Sequence, residues 1–113
     1  MADAPSSAPP EIEIDRDTRL DDLPVAETEL EPPYRVLIHN DDITPMEFVV
    51  AVLSSVFSLS SRQAAAVMLE AHFTGLSLVV TLPFEDAKYR VGKAHSMARA
   101  AGYPLTFSIE PEN

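Results

Sequence analysis

The chain has 113 residues, a formal net charge of −10 and no cysteine, which fits one domain with one core and excludes disulfides, thiolate nucleophiles and cysteine-based metal sites. An acidic chain without a basic face is poorly suited to phosphate-rich nucleic acid, and no apolar run approaches the length of a membrane span. Its partners are therefore expected to be proteins, with neither nucleic acid, membrane, metal nor cofactor among them.

Residues 1–33 hold ten acidic side chains against Arg16 and Arg19, a net charge of −8, together with six of the ten prolines and no aromatic residue. Such a composition cannot bury enough apolar surface to offset its ordering entropy. It predicts a disordered, acidic, proline-rich extension over 1–33 and a folded domain over 34–113. The extension has neither the basic start nor the apolar centre of a secretory signal, so a cytoplasmic protein is expected.

The folded part opens with "YRVLIHN", β-branched and aromatic with partial alternation, which predicts a strand with Ile38 and Asn40 on one side and His39 on the other. Thr44, Pro45 and Glu47 match the N-cap, first helical position and third position of a capping box. Met46, Val49, Val50, Leu53 and Phe57 follow at helical spacing and predict a helix that ends near Ser58. A second capping box, Ser60 with Gln63, starts a helix whose Ala64, Val67, Met68, Ala71 and His72 share a face down to Gly75. "LSLVVTL" (76–82) predicts a strand stopped by Pro83. Ala87, Val91, Ala94, His95 and Ala98 predict a third helix stopped by Gly102, and "LTFSIE" (105–110) a last strand. The order β-α-α-β-α-β favours an α+β fold, a small three-stranded antiparallel sheet with three helices on one face.

Taken singly, Asn40, Asp41 and Asp42 read as turn and helix-start residues, Met46 and Met68 as core filling, and His72 as a histidine at the edge of the core. His39 and His95 carry no role beyond surface or core. Together the acceptor-rich turn, the histidine with apolar flanks and the two flexible methionines describe a small apolar pocket with a polar mouth. An amide oxygen, a carboxylate and a neutral imidazole nitrogen form an acceptor set suited to an ammonium group. As a metal or acid-base site, His39, Asp42 and His72 lack a third nitrogen or sulfur ligand, and no serine or threonine sits in a nucleophile motif. No enzyme is expected.

The segments "YRVLIHNDDITPMEFVV", "VMLEAHFTG" and "AGYPLTFSIE" closely resemble, in order and spacing, the ClpS adaptors of bacteria and plastids, over about residues 33–110. The resemblance implies a monomeric adaptor that binds proteins by an N-terminal Leu, Phe, Tyr or Trp and hands them to a ClpA- or ClpC-type AAA+ unfoldase for degradation by ClpP. It implies that Asn40, Asp41, Asp42 and His72 hold the free α-amino group. Ile38, Thr44, Met46, Val49, Met68, Ala71 and Leu105 would line the side-chain pocket, with Met46 as gatekeeper against β-branched residues. Glu85 and Arg90 fall where the family docks on the unfoldase N-domain. Ala71 stands where the family usually has a larger aliphatic residue, and Arg90 where lysine is usual. The alternative is a non-catalytic interaction domain of the same fold without this specificity.

Overall fold

The computed structural model describes residues 32–112. The expected disordered extension lies outside them but for Pro32 and Pro33, and Pro33 opens the first strand. Six elements follow in the expected order: β1 Pro33–His39, α1 Met46–Phe57, α2 Ser61–Thr74, β2 Leu76–Pro83, α3 Phe84–Ala101 and β3 Thr106–Pro111. The sheet runs β2-β1-β3 with both pairings antiparallel, so β1 is central. Val36 and Ile38 of β1 are buried under the helices, while Arg35, Leu37 and His39 alternate onto the other face. There Arg35 pairs with Glu110 of β3. The register of β1 with β2 shifts between Val36 and Leu37, with Val36 opposite Val80 and Leu37 opposite Leu78, which leaves Val79 as the extra residue of a bulge.

Helix α1 buries Val49, Val52, Leu53, Val56 and Phe57, a stripe at i, i+3, i+4, i+7 and i+8. The buried face is wider than the spacing predicts, since it adds Val52 and Val56, while Met46 at the first turn is 45% exposed. The expected Thr44 cap is replaced. Pro45 stands at the N-cap with extended backbone and no side-chain cap, and its carbonyl accepts from the Phe48 and Val49 amides, both at 3.1 Å. The Thr44 hydroxyl is instead donated to Asp41. Helix α2 has the expected box, with the Ser60 hydroxyl accepting from Gln63 N–H and the Gln63 side chain accepting from Ser60 N–H. It ends at Gly75, whose φ of 93° is a left-handed conformation that glycine adopts without a Cβ penalty.

Helix α3 lays Ala87, Ala94 and Ala98 against the core. These small side chains let the helix approach the sheet closely, and a buried Phe57–Phe107 pair, ring centroids 5.3 Å apart, fills the space between α1 and β3. Arg90 donates from Nη1 to the Val56 carbonyl at 2.6 Å and from Nε to Asp86 at 2.8 Å, which satisfies an acceptor in the last turn of α1. Two contacts set the position of the site. Asn40 N–H donates to the Gly75 carbonyl at 3.1 Å, and His39 pairs with Leu76 in the sheet. The exit of β1 is thereby joined to the corner between α2 and β2.

Candidate ligand-binding site

That junction borders a small cleft of about 150 Å³, sized for a single side chain and not for a larger ligand. Its walls come from three stretches far apart in sequence: Ile38 to Val49, running from the end of β1 through the turn residues Asn40, Asp41, Asp42 and Thr44 into Met46 and Val49 of α1, with His39 among them; Met68, Ala71 and His72 of α2; and Leu105 before β3. All eleven residues expected at the α-amino and side-chain subsites therefore border one cavity. Glu85 and Arg90 are elsewhere, on α3, and do not share a face. Five residues apart on a helix they are turned by ~140°, and Arg90 is engaged with Asp86 and Val56. Glu85 borders a shallow outer surface with Lys88, Tyr89, Gly92, Lys93 and Ser96.

Within the cavity the apolar and polar residues separate by depth. Ile38, Val49, Ala71 and Leu105 are buried. Asn40, Asp42 and His72 are exposed at the mouth. Met46 is half open, so its unbranched side chain can adapt to an occupant.

The three carboxyl and amide residues of the turn do different work. Asp41 is half-buried and spent internally: its Oδ1 accepts from Ile43 N–H at 2.8 Å and Thr44 N–H at 2.7 Å, and its Oδ2 accepts from the Thr44 hydroxyl at 2.9 Å. Burial raises its pKa, but the three hydrogen bonds from Thr44 and Ile43 outweigh that effect and leave the carboxyl below its ordinary value. Among the described residues no side-chain bond of this kind engages Asn40, Asp42 or His72. The His72 ring meets Phe73 edge-on, centroids 5.0 Å apart, and holds no internal polar partner there. Acceptor capacity is thus built into the mouth and left unused by the described residues.

His39, given no role from the sequence, also borders the cavity. Its Nε2 is bonded to Ser108 Oγ of β3 at 2.7 Å, so the ring is committed to the sheet. Only the strand register reveals that pairing. Among the described residues no group of His, Asp or Glu side chains could hold a metal ion, and no helix is long and apolar enough to cross a membrane.

Comparison with known proteins agrees with the geometry. The family model for ATP-dependent Clp protease adaptor protein ClpS matches residues 29–108. The chain belongs to the ClpS family. The ClpS of Desulfatibacillum aliphaticivorans is 44% identical over 89 residues, which cover 79% of this chain and 86% of that protein. The second ClpS of Rhizobium meliloti is 44% identical over 79 residues, 70% of this chain and 78% of the relative. Among solved structures, Agrobacterium tumefaciens ClpS2 bound to L-phenylalaninamide superposes with a TM-score of 0.70 at 39% identity, covering 73% of this chain and 99% of that one. As a ClpS protein the chain is an adaptor of the Clp protease and not an enzyme.

Proposed function

We propose that the cavity binds the first residue of a polypeptide, with the free α-amino group at the polar mouth and a Leu, Phe, Tyr or Trp side chain in the apolar interior. The observation that carries the reading is the set of acceptors left unspent around an apolar cleft: the Asn40 amide oxygen, the Asp42 carboxylate and a His72 ring nitrogen. An ammonium group has three donors and no acceptor, which is the complement of that set. L-Phenylalaninamide, the ligand of the Agrobacterium relative, has a free α-amino group and an amide where a peptide would continue. It is a miniature of the proposed ligand. Ile38, Thr44, Met46, Val49, Met68, Ala71 and Leu105 would form the walls, with Met46 as gatekeeper, while Asp41 shapes the turn from behind.

Burying a Leu or Phe side chain contributes about 1.5–3 kcal/mol, and hydrogen bonds to a charged group contribute about the same each. Association entropy offsets much of that sum, leaving an affinity around the micromolar range. Delivery completes the reading. A cytoplasmic, monomeric adaptor would hand the bound protein to a ClpA- or ClpC-type unfoldase, docking through the exposed side of α3 that carries Glu85. Arg90, tied to the end of α1, would contribute by holding that helix in place.

The test is a pair of peptides beginning with Leu, identical except that one is acetylated at the N-terminus. Binding of the free peptide and loss of binding by the acetylated one is the expected result. Equal affinities would end the reading, because the acceptors of the mouth would then have no part in recognition.

A further inference from the structure

We propose that His95 is a positioning residue for the cavity wall: its neutral imidazole holds the 105–107 segment through the Phe107 amide, and with it Leu105, and protonation of the ring releases both. The proposal rests on the reading of the cavity as the pocket for a first side chain. Phe107 N–H donates to His95 Nε2 at 2.9 Å, so Nε2 is the unprotonated nitrogen and its lone pair is the acceptor. β3 lies at the edge of the sheet, where the outward amides have no neighbouring strand to accept them. Phe107 is only 3% exposed, so its amide depends on α3 for a partner.

The link to the pocket is Leu105, two residues earlier and 5% exposed. It borders the ligand cavity on one side and, on the other, a second, shallower cleft shared with His95, Arg99 and Tyr103. A proton on His95 Nε2 would set two donors against each other and leave the buried Phe107 amide without an acceptor. The charged or titratable groups facing the ring across that cleft are Arg99, one turn further along α3, and Tyr103 in the loop before β3; among the described residues no carboxylate lines it. Burial, and then the charge of Arg99, hold the imidazole below its ordinary value. The unfolded chain therefore takes up the proton first as pH falls below about 6.5. The bond is intact at neutral pH and fails at the acid end.

The experiment follows the wild-type protein, His95→Ala and His95→Gln from pH 7.5 to 5. A glutamine amide oxygen can accept from Phe107 N–H and does not titrate; alanine cannot accept. In wild type the Phe107 amide resonance is expected to shift with the same midpoint as the His95 ring. In His95→Gln it should stay still. His95→Ala is expected to lower the affinity for a Leu-initiated peptide severalfold at pH 7.5, and His95→Gln to recover most of that loss. Between pH 7.5 and 5.5 wild type should lose at least threefold more affinity than His95→Gln, any effect of His72 being common to both. If His95→Ala does not fold, the wild-type and glutamine proteins alone carry the test. Equal acid losses in those two, or a Phe107 resonance that does not follow the ring, would overturn the proposal. If neither bound any peptide with a free N-terminal Leu or Phe while the Phe107 resonance still titrated, the ligand reading would fall and only the hydrogen bond would survive.

Discussion

Two helix starts in this domain solve the same physical problem in opposite ways. At α2 the Ser60 and Gln63 side-chain oxygens accept from each other's backbone amides, so both acceptors are spent on the helix start. At α1 the cap position holds Pro45, with no side chain to offer. The capping work has moved upstream to Asp41, which ties Ile43 and Thr44 into a tight turn. Because one carboxylate absorbs the local donors, the residues on either side of it, Asn40 and Asp42, keep their acceptors free at the mouth of the cavity. The α2 start spends its side-chain acceptors on itself, whereas the α1 start concentrates the structural work in a single residue.

The largest effect is expected from the freed acceptors. Asn40→Ala or His72→Ala should weaken binding of a Leu-initiated peptide by about ten- to a hundredfold, the equivalent of one lost bond to a charged group, with little change in melting temperature. A fall in thermal stability matching the fall in affinity would show that these side chains support the fold, and the contrast between the two starts would be lost. Asp41→Ala should do the reverse in part, lowering stability by about 1–3 kcal/mol through loss of the turn and disturbing affinity only because Asn40 and Asp42 are no longer held. Its pH dependence sharpens the point. With a folded-state pKa below the ordinary 3.8, the Asp41 contribution is complete above that value and disappears as pH falls through the folded one. Wild type and Asp41→Ala should therefore converge in stability as pH falls below 3.8 and through the lower folded-state value, as followed by urea unfolding; a gap that persisted once the carboxyl is protonated would place the turn's stability in something other than the ionised carboxylate. The smallest effect belongs to Ser60→Ala, about 1 kcal/mol of stability and unchanged peptide affinity. Any loss of affinity there would mean that α2 transmits its N-terminal state down to His72.

Much of the architecture was legible because its signals are local. Ser60 with Gln63, Gly75 and Gly102 mark helix ends through contacts within a few residues, and the alternation of β1 separates Ile38 and Asn40 from His39. The cap of α1 was misread although it too is local. Thr44, Pro45 and Glu47 fit a capping box, but Asp41 three residues earlier takes both the Thr44 N–H that Glu47 would have accepted and the Thr44 hydroxyl proton, which ties the threonine into the turn. The Asn40 contact with Gly75 fixes the turn in the geometry where Asp41 succeeds. The turn residues, His72 and the two methionines were grouped from their chemistry, but Ile38, Thr44, Val49, Ala71 and Leu105 were named as walls only through family resemblance, since Ile38 and Leu105 share no spacing that would betray a common pocket.

The sequence by itself determined the order of elements, the helix stops and the supply of unpaired acceptors, because each depends on side chains a turn or two apart. Only the tertiary structure decided which of those groups remain free. Arg90 meets the carbonyl of Val56 across 34 residues of chain, His39 meets Ser108 across 69, and His95 meets the amide of Phe107 from a neighbouring element. None of these partners follows from periodicity, since each depends on strand register and on how closely the alanine face of α3 settles against the sheet. Packing at that distance separates a histidine held by the sheet, one held by an edge amide and one left facing the cavity mouth.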